Sequence, residues 1–158
     1  MSEILNLPAG TLAHGSILVA EDADNAIRWQ AGERLHHLFE ARCREIEAAG
    51  RGDQAAIDVG GEITGFVALE RRASQMAQVL RQKGVRPGDR VGLILDRSMA
   101  AYAALISVLK VEAAFVPLDG KFPSERIRFI AEDAGIETFI VAGPWAGLVA
   151  DIGVGVVT

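Results

Sequence analysis

The chain has 158 residues, the length of one domain, and a domain of that size buries roughly 70% of the surface its unfolded form exposes. Half of the residues are apolar and 23% are charged, an ordinary globular balance that excludes wholesale disorder. A net charge of -5 speaks against a nucleic-acid footprint, which needs clustered Lys and Arg.

The first residues carry no cationic segment followed by an apolar core, so no signal peptide is read there. No run reaches the roughly 18 apolar residues of a membrane span, and the expected location is the cytoplasm. Residues 1–31 are weakly patterned and read as an N-terminal extension. Ser16–Ala20 suits a strand, Glu21 to Asn25 a polar turn, and Ile27 and Trp29 are its apolar anchors.

Glu33 to Ala49 has a helical stripe of Leu35, Leu38, Phe39, Cys43 and Ile46, with Gly50 as the stop. Cys43 is the single cysteine and reads as a buried structural thiol. Two short β-like runs, Ala55 to Val59 and Glu62 to Phe66, flank Gly60-Gly61, the signature of a tight hairpin near residues 55–66. From Val67 the period turns helical, with Leu69, Ala73, Met76 and Leu80 on one face and Gly84 at the end. Val85 to Asp89 then turns the chain through Pro87 and Gly88.

Val91 to Leu95 is apolar on both faces, as an internal parallel strand requires. A helix from Met99 to Lys110 is apolar nearly all round and is expected to be buried. Ala114 to Leu118 is the next strand, and the helical crossover between the two predicts a parallel pair. Ser124 to Ala134 follows as a helix, with Ser124 as its expected N-cap, a stripe of Ile127, Ile130, Ala131 and Ala134, and Gly135 as the stop. Glu137 to Ala142 is a strand, Trp145 to Ala150 a short helix, and Val154 to Val157 a last strand. Strands alternating with helices of this length predict an α/β fold with a mostly parallel, doubly wound sheet flanked by helices.

No complete catalytic constellation is present, and no residue is assigned as catalytic, cofactor-binding or metal-binding. Gly120-Lys121 lacks the earlier glycine of a phosphate loop, and Phe122 follows the lysine. No Gly-x-Gly-x-x-Gly opens a helix, because Gly153 and Gly155 come too near the end. His36 and His37 point about 100° apart on their helix, which suits one half-buried and one solvated ring rather than a shared metal. His14 lies in the weakly patterned start. Glu132-Asp133 reads as a solvated helix end, where negative charge gains nothing from the dipole. Asp96, Arg97 and Ser98 end one strand, and Asp119, Gly120 and Lys121 end the next. If those strands are neighbours, the six residues share one sheet edge and can face a ligand. The plainer alternative has Asp96 or Ser98 capping a helix and Arg97 pairing with a carboxylate.

The segment Leu109 to Asp119, L-K-V-E-A-A-F-V-P-L-D, resembles the motif L-K-A-G-x-A-Y-x-P-L-D of the adenylation domains of nonribosomal peptide synthetases, within the adenylate-forming ligases. The likeness extends through Phe122-Pro123, Arg126 and Glu132-Asp133-Ala134, and upstream through Gly84 to Val91, Leu95 to Ser98 and Arg72 to Ala77. It reaches back to about Arg28. Two departures stand out. Glu112 takes the place of a family glycine at a helix end, and Thr64 to Leu69 matches the family's L-T-Y/F-x-E-L with Gly65 and Ala68 in place of threonine and glutamate.

The resemblance implies that residues 32–158 are the N-terminal portion of an adenylation domain's large subdomain, ending before the family's phosphate loop. It implies a parent ligase that uses ATP and Mg to form an aminoacyl-AMP and then loads a carrier thiol, with the rest of the adenylation domain and a carrier domain as partners. The fragment itself is expected to be inactive and to hold no cofactor. It is also expected to self-associate through surface that its companion segments would cover, with no nucleic-acid or membrane partner. The alternative is a non-catalytic α/β association or ligand-binding module derived from the same scaffold, motivated by Gly65, Ala68 and Glu112.

Overall fold

A computed structural model describes residues 32–141, 143–152 and 155–157. The expected strand at residues 16–20, the turn after it, the anchors Ile27 and Trp29, and His14 lie outside the described residues. The chain divides after Glu33, and the unit from Arg34 onward holds every described element.

Helix α1 (Leu35–Ala48) leads into a hairpin of β1 (Ala55–Val59) and β2 (Glu62–Gly65). Helix α2 (Phe66–Gln82), strand β3 (Arg90–Ile94), helix α3 (Met99–Lys110), strand β4 (Ala114–Pro117) and helix α4 (Ser124–Ala134) follow. Strand β5 (Thr138–Val141), a 3₁₀ segment (Gly143–Ile152) and strand β6 (Gly155–Val157) complete the chain. The main sheet has the order β4-β3-β5-β6, and each pairing in it is parallel. The only antiparallel pairing among the described residues is the separate β1–β2 hairpin.

Strand alternation sends side chains to two different layers. Val91, Leu93 and Ile140 pack with Leu80 of α2 and with Ala104 and Val108 of α3. Ile94, Phe139 and Val141 pack with Ile127 and Ala131 of α4 and Val149 of the 3₁₀ segment. Helices therefore cover both faces, as a doubly wound sheet requires. A third cluster, built on Leu69, Ala73 and Ala103, seats Phe39 of α1 and Ile57 of the hairpin.

Three expectations are corrected. Leu35 is 60% exposed, and the buried residues of α1 are His36, Cys43 and Ile46. The stripe still runs through Phe39, Cys43 and Ile46, but its first turn is filled by His36 rather than Leu35. Ser124 is the first helical residue rather than the N-cap; Pro123 holds that position with no side-chain bond. Its carbonyl accepts from the N–H groups of Arg126 (2.9 Å) and Ile127 (3.1 Å), so the backbone starts the helix. Helix α3 is not buried all round. Its buried face is Ala103, Ala104, Ser107 and Val108, while Tyr102 is exposed and Leu105 and Leu109 are half-buried. The cause is the strand order, which puts β4, the strand after α3, at the sheet edge.

All four α-helices end in the same way. In each, the residue after the last turn has positive φ, and two backbone bonds close the end: Gly50 and Arg51 after α1, Gly84 and Val85 after α2, Glu112 and Ala113 after α3, Gly135 and Ile136 after α4. This Schellman geometry favours glycine because any Cβ is strained there. Glu112, with φ 59°, is the positive-φ residue other than glycine among the described residues. Its carboxylate meets Arg34 at 3.0 Å, but both side chains are about half exposed, so the pair offsets little. Glu112→Gly is therefore expected to raise unfolding stability by about 0.5–1 kcal/mol. Chemical denaturation measures this directly, and a lower midpoint for the variant would refute it.

One charged cluster sits between the helices. Lys110, with its side chain 8% exposed, binds Glu40 of α1 and also Glu70 of α2, the latter at 2.8 Å. Ser74 donates to the same Glu70 oxygen at 2.9 Å. The second oxygen of Glu70 is buried without a hydrogen-bond partner among the described residues. Burial alone would raise the Glu40 pKa, but the bond and charge of Lys110, aided by His36 and His37, leave it lowered.

Candidate functional site at the carboxyl edge of the sheet

The loops after β3, β4 and β5 leave the same edge of the sheet, because these strands are adjacent and parallel. After β3, Ser98 is extended and its Oγ accepts from the Ala101 N–H at 3.2 Å, so it caps α3. After β4, Asp119 Oδ1 accepts from the Lys121 N–H at 2.9 Å, and the Asp119 carbonyl accepts from Phe122 at 3.0 Å. After β5, Trp145 donates its indole N–H to Asp96 Oδ2 at 3.2 Å. The same indole lies over Gly120, where a Cβ would stand 2.4 Å from Cδ2.

The structure thus brings the six sequence-selected residues to one edge, yet gives two of them local work. Ser98 is a helix cap and Asp119 shapes its own turn. Arg97 is exposed and makes no ion pair among the described residues, so its expected carboxylate partner is absent. Trp145, read from sequence only as the start of a short helix, is the residue that ties Asp96 to Gly120. One signal points to it: a tryptophan straight after a Gly-Pro break at the carboxyl end of a strand.

Beside this edge lies an apolar cavity of about 130 Å³, lined by Leu93, Leu95, Ala101, Leu105, Pro117 and Leu118. It adjoins the half-covered face of α3. A larger cavity of about 250 Å³ lies at the other end of the sheet, where Lys83 and Arg90 face it together with Asp89 and Glu137. That mixed charge suits no single ligand class.

The remaining candidates are structural. His36 is 6% exposed and His37 is exposed, with the rings edge to face at 4.2 Å. His37 Nδ1 accepts from the Arg34 N–H at 3.2 Å, which commits it to the start of α1. Burial, followed by the charges of His37 and Lys110, holds the His36 pKa below its ordinary value, against Glu40 and Glu112. Among the described residues no group of three or more His, Cys, Asp or Glu side chains is placed to hold a metal ion. Cys43 is buried, and desolvation, then Glu70, pushes its thiol up to about 11. So high a value keeps it a thiol and unreactive near neutrality. Glu132 and Asp133 are exposed in the last turn of α4, as expected. No helix among the described residues is long and apolar enough to cross a membrane.

Comparison with known proteins places this architecture. The family described as AMP-binding enzyme matches residues 45–154. A linear gramicidin synthase of Brevibacillus parabrevis is 35% identical over 137 residues, covering 87% of this chain and 3% of the synthase. Among solved structures, the nonribosomal peptide synthetase FmoA3 in its α-methyl-L-serine-AMP bound form superposes with a TM-score of 0.70 at 27% identity, covering 78% of this chain and 14% of that one. A four-domain nonribosomal peptide synthetase bound to AMP and glycine gives 0.67 at 30% identity, covering 80% of this chain and 9% of that one. The chain thus spans only a few per cent of the curated relatives it matches.

Proposed function

The chain belongs to the AMP-binding enzyme family, and from that premise we propose that residues 32–158 are the N-terminal part of the large subdomain of an amino-acid-activating adenylation domain, preceded by an extension over residues 1–31. The parent, on this reading, forms an aminoacyl-AMP from ATP and an amino acid, releases pyrophosphate and loads a carrier thiol. Its partners are the rest of the adenylation domain and a carrier domain. The observation that carries the reading is the Leu109–Asp119 motif: it runs from the end of α3 through edge strand β4 to the Asp119 turn, within the region that the family matches.

The described residues do not fit ATP phosphates or Mg. The carboxylates nearest the sheet's carboxyl edge, Asp96 and Asp119, are engaged by Trp145 and Lys121, and no acidic cluster converges there. No family catalytic residue is carried onto this sequence, and the fragment is proposed to be inactive by itself. The chain as purified should therefore show no amino-acid-dependent ATP–pyrophosphate exchange. Robust exchange would sink the proposal.

Self-association is the second part of the proposal. The apolar outer face of α3 adjoins β4, whose Phe115 is 37% exposed. Strand addition at this edge is disfavoured. Ala114 and Leu118 direct their N–H groups to β3, so Phe115 and Pro117 face outward, and proline has no N–H to give. Association through side chains is the favoured mode, and a concentration-independent monomer mass by light scattering would contradict it.

The second reading, a non-catalytic module, draws support from Gly65. A Cβ there would lie 2.9 Å from the Gly52 carbonyl oxygen and 3.1 Å from Asp53 Cα. The family's threonine cannot enter without moving that backbone, so the departure is built into the hairpin. The parent reading frame separates the two readings. A phosphate-loop motif downstream supports the ligase, and a stop codon after Thr158 supports the module.

A further inference from the structure

The three loops at the carboxyl edge come from separate stretches of chain, and one side chain joins them. Trp145 follows β5, covers Gly120 in the loop after β4, and donates to Asp96 in the loop after β3. Glycine at position 120 is what admits the ring so closely. The chain runs from β3 to β4 on one side and then returns to place β5 on the other, so strand order reverses beside β3. In open α/β sheets a ligand crevice lies outside the carboxyl ends at such a reversal.

We propose that Trp145 is an aromatic latch that couples the loop after β3 to the loop after β4, so that a disturbance at either one is transmitted to the other through the indole. Three contacts hold it: a hydrogen bond to a carboxylate, the ring's packing on Gly120, and its packing against the buried cluster that includes Leu118 and Val149. Asp96 is exposed, so its bond competes with water and is modest in strength. That bond opens locally, well before the domain unfolds. A group binding at either loop would therefore be felt at the other without any change in the sheet. The latch follows from this geometry alone and is independent of the identity of the parent.

Amide hydrogen exchange on the full chain tests it. Lys121 and Phe122 report on the loop after β4, and Ala101, bonded to Ser98 Oγ, reports on the loop after β3. Asp96→Ala should speed exchange at Lys121 and Phe122 by about three- to tenfold, and Gly120→Ala should do the same at Ala101. In a Trp145→Leu background neither substitution should be transmitted. Effects confined to the substituted loop, or transmission that persists without Trp145, would overturn the proposal. Should Trp145→Leu not fold, Trp29→Phe leaves Trp145 as the sole tryptophan. Asp96→Ala in that protein should shift its emission to longer wavelength and raise acrylamide quenching. Unchanged emission and quenching would also overturn it.

Discussion

Gly92→Ala is expected to destabilise the protein by about 1–2 kcal/mol, from a single added methyl group. Gly92 is buried in β3, paired with Val116 of β4 on one side and Phe139 of β5 on the other. A Cβ at position 92 would stand 2.3 Å from Cε1 of Phe139. That ring is fully buried and shares its cluster with Ile127 and Ala131 of α4, so it has nowhere to retreat. Overpacking of this kind costs about 1–3 kcal/mol, while the lower chain entropy of alanine returns about 0.4–1 kcal/mol. The overpacking wins. Urea denaturation should show a lower midpoint at unchanged slope. Phe139→Leu combined with Gly92→Ala should cost less than the two changes summed, because they share one space. A Gly92→Ala midpoint equal to that of the parent would refute the packing argument.

Lys110→Met should be at least as damaging, at about 3 kcal/mol near neutral pH. The methionine fills a similar volume, so the loss is one of charge. Removing one partner of a buried ion pair costs about 3–5 kcal/mol, and the lower end applies because Glu40 and Glu70 are each about a quarter exposed. The pH dependence identifies the cause. In the parent protein the Glu40 pKa is lowered by folding, so its contribution is complete above its ordinary 4.5 and is lost as pH falls through the lower folded value. In the variant, burial acts on the Glu40 carboxylate without the lysine to oppose it, so protonation relieves it and acid narrows the gap between the two proteins. His36, whose pKa is lowered by burial, then by His37 and also by Lys110, erodes stability below its ordinary 6.5 wherever it stays buried and neutral. The informative quantity is therefore the difference between variant and parent across pH. Adding Glu40→Gln and Glu70→Gln to Lys110→Met should recover much of the loss. A gap that stays constant from pH 7 to pH 4 would show that packing, not charge, is responsible.

Much of the architecture is local and so is legible in the residues. The hairpin around Gly60-Gly61, helix α3 at Met99–Lys110 and the glycine stops follow from short-range periodicity and from backbone angles that only some residues tolerate. Glu112 stands out because a glycine is expected there, and the positive φ at that position gives the departure its physical meaning. The candidate edge is half legible. Asp96 to Ser98 and Asp119 to Lys121 can be placed as neighbours from the strand pattern, but Trp145 cannot, since nothing near it in sequence announces its partners.

The order and type of the elements follow from the residues alone because they rest on local periodicity and turn chemistry, the parallel crossover because a helix of that length between two strands permits little else, and the family likeness because it is read from the residues themselves. Packing settles the rest: the strand order β4-β3-β5-β6, the half-covered face of α3, the burial of His36 in place of Leu35, the clamp on Lys110, and the indole laid across Gly120. Each of these joins residues far apart along the chain. Which distant groups meet is set by how whole layers stack, and no local periodicity encodes that.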